Sequence, residues 1–220
     1  HRGGKGLIGS DVAEEDFLQH FISANTHDNM LFFTDRGRVF QTKAYEIPEG
    51  SRTSKGKSVH NFLEISPEEK ISAVISYAQT VADRAQTNAE NSRPRESASS
   101  PRESAYLVMA TVNGMVKKTA LTDFGNVRRT GIIAIRLKKG DELKWVMLSS
   151  GGDELLITTA NGQGIRFKES QTRPMSRTAS GVRGIRLKGS DHVSGLEIVR
   201  KDMKDARLLT VMANGYGKQT

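Results

Sequence analysis

Leu155, Leu156 and Ile157 run into Asn161-Gly162, and out of that turn comes Ile165-Arg166-Phe167-Lys168, where apolar and basic side chains alternate. An apolar run, an Asn-Gly dipeptide and an alternating run predict a β-hairpin. The same wording recurs in LFFTDRGRVFQTK around Gly37, LVMATVNGMVKKT around Gly114 and LLTVMANGYGKQT around Gly215. Asn-Gly suits a type I′ turn, whose two central residues both need positive φ, and Arg36-Gly37 is a weaker form of the same device. The turn glycines lie 77, 48 and 53 residues apart. A period near 50 predicts one small sheet per repeat, as in propeller-like or solenoid arrays.

The chain divides accordingly. Residues 1–27 form a partial first unit, 28–77, 104–150 and 151–200 form complete repeats, and 206–220 begin another. Within the first complete repeat, strands are expected at 29–34, 38–43, 59–65 and 70–75, with Ile71, Val74 and Ile75 in the core. The second should carry strands at 106–112 and 115–119, and Ile133 and Ile135, alternating with Ala134 and Arg136, write a further one. GVRGIRLKGSDHVSGLEIV in the third repeat answers GIIAIRLKKGDELKWVML in the second. Before the first repeat, 11–16 is acidic and suits a helix, and 17–24 reads as a strand. Residues 78–103 are polar, rich in Ala and Ser, and repeat Pro-Arg-Glu-Ser-Ala. They bury too little to offset the entropy of ordering and are expected to be a mobile insertion, or else a charged contact arm.

Composition narrows the class. With 220 residues, 36% of them apolar, 21 Gly and 5 Pro, the chain has enough apolar surface for a core and enough glycine for many tight turns. The absence of cysteine excludes disulfides and thiolate metal sites, and no apolar run is long enough for a membrane helix. A cytoplasmic location is the expectation. The net charge is +8, and most of the 33 Lys and Arg fall in short segments free of acids that recur in step with the hairpins. Acids cluster elsewhere, in 11–16, 64–69, 141–142, 153–154 and 202–205. Such segregation is what one continuous positive edge requires.

No catalytic chemistry is legible. His1, His20, His27, His60 and His192 lie far apart without metal-ligand spacing, and no nucleotide phosphate loop is present. Trp145 follows a Gly-Asp turn in an apolar strand and reads as core rather than as a base-stacking platform. At the start, Arg2-Gly3-Gly4-Lys5-Gly6 places two cations between glycines, whose backbone amides can approach a phosphate closely.

Together ANTHDNMLFF, RGRVFQTK, ATVNGMVKKT, SGVRGIRLKG and NGYGKQT resemble the C-terminal DNA-wrapping domain of the A subunit of bacterial DNA gyrase, a type IIA topoisomerase. The resemblance spans nearly the whole chain outside 78–103. RGGKG at residues 2–6 resembles the end of that family's glycine-basic box; its leading Gln is absent here, and His1 stands where a basic residue is usual. The resemblance implies an all-β β-pinwheel, propeller-like, with hairpin-exchanged four-stranded blades, here a partial disc of about four. It also implies duplex DNA wrapped on a basic rim in support of negative supercoiling, with the rest of that gyrase polypeptide and its ATP-using companion polypeptide as partners. No small-molecule substrate, cofactor or metal is expected. The family's strand-cleaving tyrosine lies in a preceding domain, and none of Tyr45, Tyr77, Tyr106 or Tyr216 has its context, so this chain alone is expected to be non-catalytic.

The candidate phosphate contacts follow the repeats. Arg2 and Lys5, with the box glycines Gly3, Gly4 and Gly6, hold one end. Arg36, Arg38, Lys43, Arg52, Lys55 and Lys57 belong to the first complete repeat. Lys117, Lys118, Arg128, Arg129, Arg136 and Lys138 belong to the second, and Arg166, Lys168, Arg177, Arg183, Arg186 and Lys188 to the third. Three alternatives stand beside this reading: a topoisomerase IV-type domain that binds DNA but wraps it poorly, a propeller-like protein-interaction scaffold, and a single-strand binder. The intact Gly-Gly-Lys-Gly argues against the first. A protein-binding face would expose aromatics and mixed charge, a single-strand binder would interleave aromatics with cations, and only 6% of the residues are aromatic.

Overall fold

A computed structural model describes residues 19–51, 54, 56–78, 105–203 and 207–220. Four antiparallel hairpins organise them: β1 (Asn29–Thr34) with β2 (Arg38–Lys43), β4 (Tyr106–Thr111) with β5 (Met115–Ala120), β8 (Glu154–Thr159) with β9 (Gly164–Lys168), and β12 (Leu209–Val211) with β13 (Gly217–Gln219). The turns are not the two-residue type I′ form. The amides of Gly37, Gly114 and Gly162 bond to the carbonyls of Thr34, Thr111 and Thr159, three residues back, and each glycine has φ near +80°. This is a three-residue loop, a tight turn followed by a left-handed glycine that makes a bulge. The threonine hydroxyl completes it, accepting a bond from the amide just after the glycine: Arg38 N, Met115 N and Gln163 N at 3.1–3.2 Å.

A third strand joins each of the first three hairpins on its first strand: β3 (Ile71–Tyr77) on β1, β7 (Leu143–Ser149) on β4 and β11 (Val193–Val199) on β8. The fourth strand comes from the next repeat. β6 (Ile132–Ile133), which follows β5 in sequence, pairs with β2, and β10 (Val182–Arg183), which follows β9, pairs with β5. The sheet orders are therefore β3-β1-β2-β6, β10-β5-β4-β7 and β11-β8-β9. This is the hairpin-exchanged all-β architecture that the family resemblance implies. Since β3 packs on β7 and β7 on β11, the third strands lie on the inner side and the exchanged strands on the outer edge.

The core explains the unbroken apolar runs. Leu31 and Phe33 face Leu107, Met109 and Leu143 between the first two sheets, and the exchanged Ala134 and Ile135 close that layer. Val108, Ala110 and Val116 face Leu155, Ile157 and Leu196 between the second and third, closed by Ile185. A third cluster, with Met30, Phe32, Phe40, Leu63 and Ile65, covers the other face of the first sheet, so β1 is buried on both faces. β8 alternates buried and half-buried positions because only one of its faces is covered. Ile71, Val74 and Ile75 pack against these clusters as expected, and Trp145 is half-buried against the second.

Two expected strands are absent among the described residues. Val59–Asn61 is a 3-10 turn rather than the start of a strand, because the Ser58 hydroxyl accepts the His60 amide and Leu63 N returns to Val59 O. Residues 19–24 are exposed and form no strand, and none of them pairs with a described sheet. Residues 11–16 and the insertion at 79–103 fall outside the described residues.

Candidate nucleic-acid interface

The turn glycine fixes where the cations of one repeat meet those of the next. Gly37 O accepts the amides of Ala134 and Ile135, and Gly114 O those of Gly184 and Ile185, so each exchanged segment docks on the preceding hairpin turn. A Cβ on Gly37 would stand 2.5 Å from Ile135 O and one on Gly114 2.9 Å from Ile185 O, which leaves glycine as the residue that fits. The docking brings the basic ends of the exchanged segments, Arg136 to Lys139 and Arg186 to Lys188, beside the turns. Arg36, Arg136, Lys138 and Lys139 line one notch with Ile133, Ile135 and Leu137. Two repeats thus contribute cations to a single hollow.

The candidates separate by burial. Arg36, Lys57, Arg128, Arg129, Arg136, Lys138, Arg166, Lys168, Arg183, Arg186 and Lys188 are exposed; Arg38, Lys43 and Arg177 are half-buried. Arg128 and Arg129 precede β6, and Arg177 precedes β10, so these residues with Arg183 follow the outer edge of two consecutive sheets. Arg2, Lys5, Arg52, Lys55 and the glycines Gly3, Gly4 and Gly6 lie outside the described residues. Exposed Lys139 and Arg173 extend the same two segments, and nothing but their place in the basic runs marked them.

Several cations already hold partners. Arg38 bonds Glu69 at 2.9 Å and Thr130 O at 2.5 Å, and its guanidinium lies 4.8 Å from the centre of the Phe40 ring. Arg166 is clamped on Glu154. Arg129 stands 3.8 Å from Glu46, both of them exposed. Hydrogen bonds from the Thr42 hydroxyl and the Lys43 amide, helped by the charges of Arg129 and Lys43, hold the Glu46 carboxyl below its usual range.

Lys117 and Lys118 are not at the surface. Lys117 is fully buried, its Nζ donating to Ala134 O at 2.6 Å and Arg177 O at 2.5 Å, and burial pushes its pKa down to about 8. Lys118, 4% exposed, bonds Glu169 O at 3.2 Å, lies 3.5 Å from the Glu169 carboxylate and covers the Tyr106 ring. Glu169 is itself fully buried and accepts the Ser149 hydroxyl and the Asp153 amide. Neither amine can meet a phosphate in this arrangement. Nothing in the chain's pattern warns of it, since KK in an alternating strand looks like two more rim cations.

Among the described residues no group of three or more His, Asp or Glu is placed to hold a metal, and no helix is long and apolar enough to cross a membrane.

Comparison with known proteins bears on what this edge is for. The family model described as the DNA gyrase C-terminal domain, a beta-propeller, matches residues 1–25, 28–77, 105–150 and 153–200. The chain is 42% identical over its whole length to the DNA gyrase A polypeptide of Mycolicibacterium smegmatis, of which it spans 23%. Among solved structures, the C-terminal domain of a DNA topoisomerase IV superposes with a TM-score of 0.69 at 26% identity, over 89% of this chain and 54% of that one. A DNA gyrase A C-terminal domain superposes with a TM-score of 0.65 at 21% identity, over 97% and 64%.

Proposed function

The chain belongs to the DNA gyrase C-terminal domain family, and from that membership we propose that its outer edge binds duplex DNA irrespective of sequence and bends it around the disc. One observation carries the reading. Strand exchange sets the exposed Arg128, Arg129 and Arg136 on the edge of the first sheet and Arg183 and Arg186 on that of the second, so consecutive blades present cations on the same side. Such contacts position a double helix without reading its bases. Bending 20–30 base pairs through 40–90° costs on the order of 1–6 kcal/mol, which several phosphate contacts per blade can offset.

The chain spans about a quarter of the length of the curated relatives it matches. We propose that it serves as the non-catalytic wrapping module of a type IIA topoisomerase in the bacterial cytoplasm. The rest of the gyrase A polypeptide and its gyrase B companion would supply strand cleavage and ATP use, and the wrapped segment would make supercoiling directional. The likeness to the topoisomerase IV domain supports a second reading, binding without strong wrapping. Sealing a nicked plasmid with the domain bound separates them: wrapping traps a linking difference of one sign, and simple binding traps none. Affinity for duplexes of unrelated sequence should fall steeply and equally with salt, by about 0.9 log units per log unit of salt for each phosphate contacted; a flat dependence sinks both readings.

A further inference from the structure

We infer that Lys117 is a positioning residue that ties consecutive exchanged segments together and so sets the spacing between one blade's phosphate contacts and the next. The inference rests on the reading of the outer edge as the DNA path. Ala134 belongs to the segment that the second repeat lends to the first sheet, and Arg177 to the segment that the third repeat lends to the second. Lys117, on β5, bonds both of their carbonyls from a fully buried position. Two further contacts run across the same seam: Arg136 N bonds Ala179 O at 3.2 Å, and the Gly181 backbone lies so close over Lys117 that an added Cβ would meet the lysine Cβ at 3.1 Å. Arg136, exposed in one segment, and Arg177, half-buried in the other, are therefore held at a spacing that the Lys117 ammonium group sets together with the Arg136 N to Ala179 O bond.

The neighbouring junction shows that a lysine is not needed for docking alone. At the position in β2 that corresponds to Lys117 stands Phe40, and the segment beneath Gly131 packs directly on its ring. An apolar side chain thus suffices to seat an exchanged segment. What the amine adds at Lys117 is a bond to each of two segments, and those two carry the cations of successive blades.

A double-mutant cycle on duplex affinity tests this. Lys117→Met and Arg177→Ala should each lower the salt slope, Arg177→Ala by about 0.9 if it contacts one phosphate. Lys117→Met made in the Arg177→Ala background should change the slope no further. A merely structural lysine would lower the unfolding midpoint and leave the slope untouched in either background, and a direct phosphate contact would give additive losses; either result overturns the inference. Because the chain has no cysteine, Lys117→Cys can be aminoethylated while unfolded, which restores an amine of nearly the same length; the slope should return with it. Should the variants fail to fold, amine acylation of the unaltered chain decides. Lys138 and Lys188 should react when free and be shielded by DNA, while Lys117 stays unreactive in both states. Reaction of Lys117 in the free chain followed by shielding on DNA would count against it. If the unaltered chain shows no salt-dependent binding at all, the rim reading fails first and the cycle has no signal to partition.

Discussion

Gly114 and Gly162 share a backbone conformation, with φ of +81° and +78°, yet their surroundings differ. Around Gly114 the next repeat's segment comes within contact, whereas an added Cβ on Gly162 would meet nothing within 4 Å. Left-handed backbone costs a non-glycine residue about 1–2 kcal/mol. Gly162→Ala should therefore lose about that much in chemical denaturation. Gly114→Ala should lose more, and should also release the amides of Gly184 and Ile185 to hydrogen exchange, because the new methyl displaces Ile185. Equal losses would show that the docked segment yields freely. Residue by residue, the sequence was legible where one residue type answers one need. Asn-Gly and Arg-Gly marked the hairpins, but the loop is one residue longer than the dipeptide suggests. Thr34, Thr111 and Thr159, whose hydroxyls complete the bulge, looked like ordinary strand threonines.

Among the elements the surprise is β5, a strand whose two lysines point into the fold. Lys117 has its ordinary pKa in the unfolded chain and about 8 in the folded one, so the native state binds fewer protons between those values. Stability contributed by this group therefore rises as pH climbs from about 8 toward the unfolded value near 10.4, and is lost again on lowering the pH. The neutral amine keeps two N–H donors for its two carbonyls, so the bonds survive the loss of charge. Subtracting the pH profile of Lys117→Met from that of the unaltered chain should leave this upward slope; a flat difference would mean that the amine keeps its normal pKa. The Lys118–Glu169 pair calls for a different test. Removing one member of a buried pair leaves the other charge unpaired, at a cost of about 3–5 kcal/mol. Lys118→Met should unfold at markedly lower denaturant, and adding Glu169→Gln should recover part of the loss. Neither lysine could be placed from the sequence. Period-two alternation assigns a face, and which face is buried depends on Arg177 and Glu169, 60 and 51 residues farther along the chain.

For the array as a whole, the repeat of about 50 residues was legible because each unit spells out its own hairpin. The exchange of the fourth strand was not, except through family likeness, since β6 and β10 are only two residues long and pair far from their own hairpins. That exchange governs how the edge should fail. Were the cations independent, removing any two would weaken binding and wrapping in proportion. In an edge built from exchanged segments, Arg136 and Lys138 belong by sequence to the second repeat and by contact to the first sheet, so they bridge consecutive blades. Arg128 and Arg129 precede β6 in the same exchanged segment, with Arg129 beside Glu46 of the first repeat, but of the two pairs only Arg136 and Lys138 share the notch with Arg36 at the junction. Replacing Arg136 and Lys138 with alanine should lower the salt slope by about 1.8, two phosphate contacts' worth, as should replacing Arg128 and Arg129. The pairs should differ in the linking difference trapped on a sealed plasmid. Loss of the bridging pair should reduce it more steeply, because a duplex that skips a junction must either straighten or leave the disc. Equal loss of trapped linking for equal loss of slope would mean that the edge acts only as a sum of charges and that its curvature comes from elsewhere.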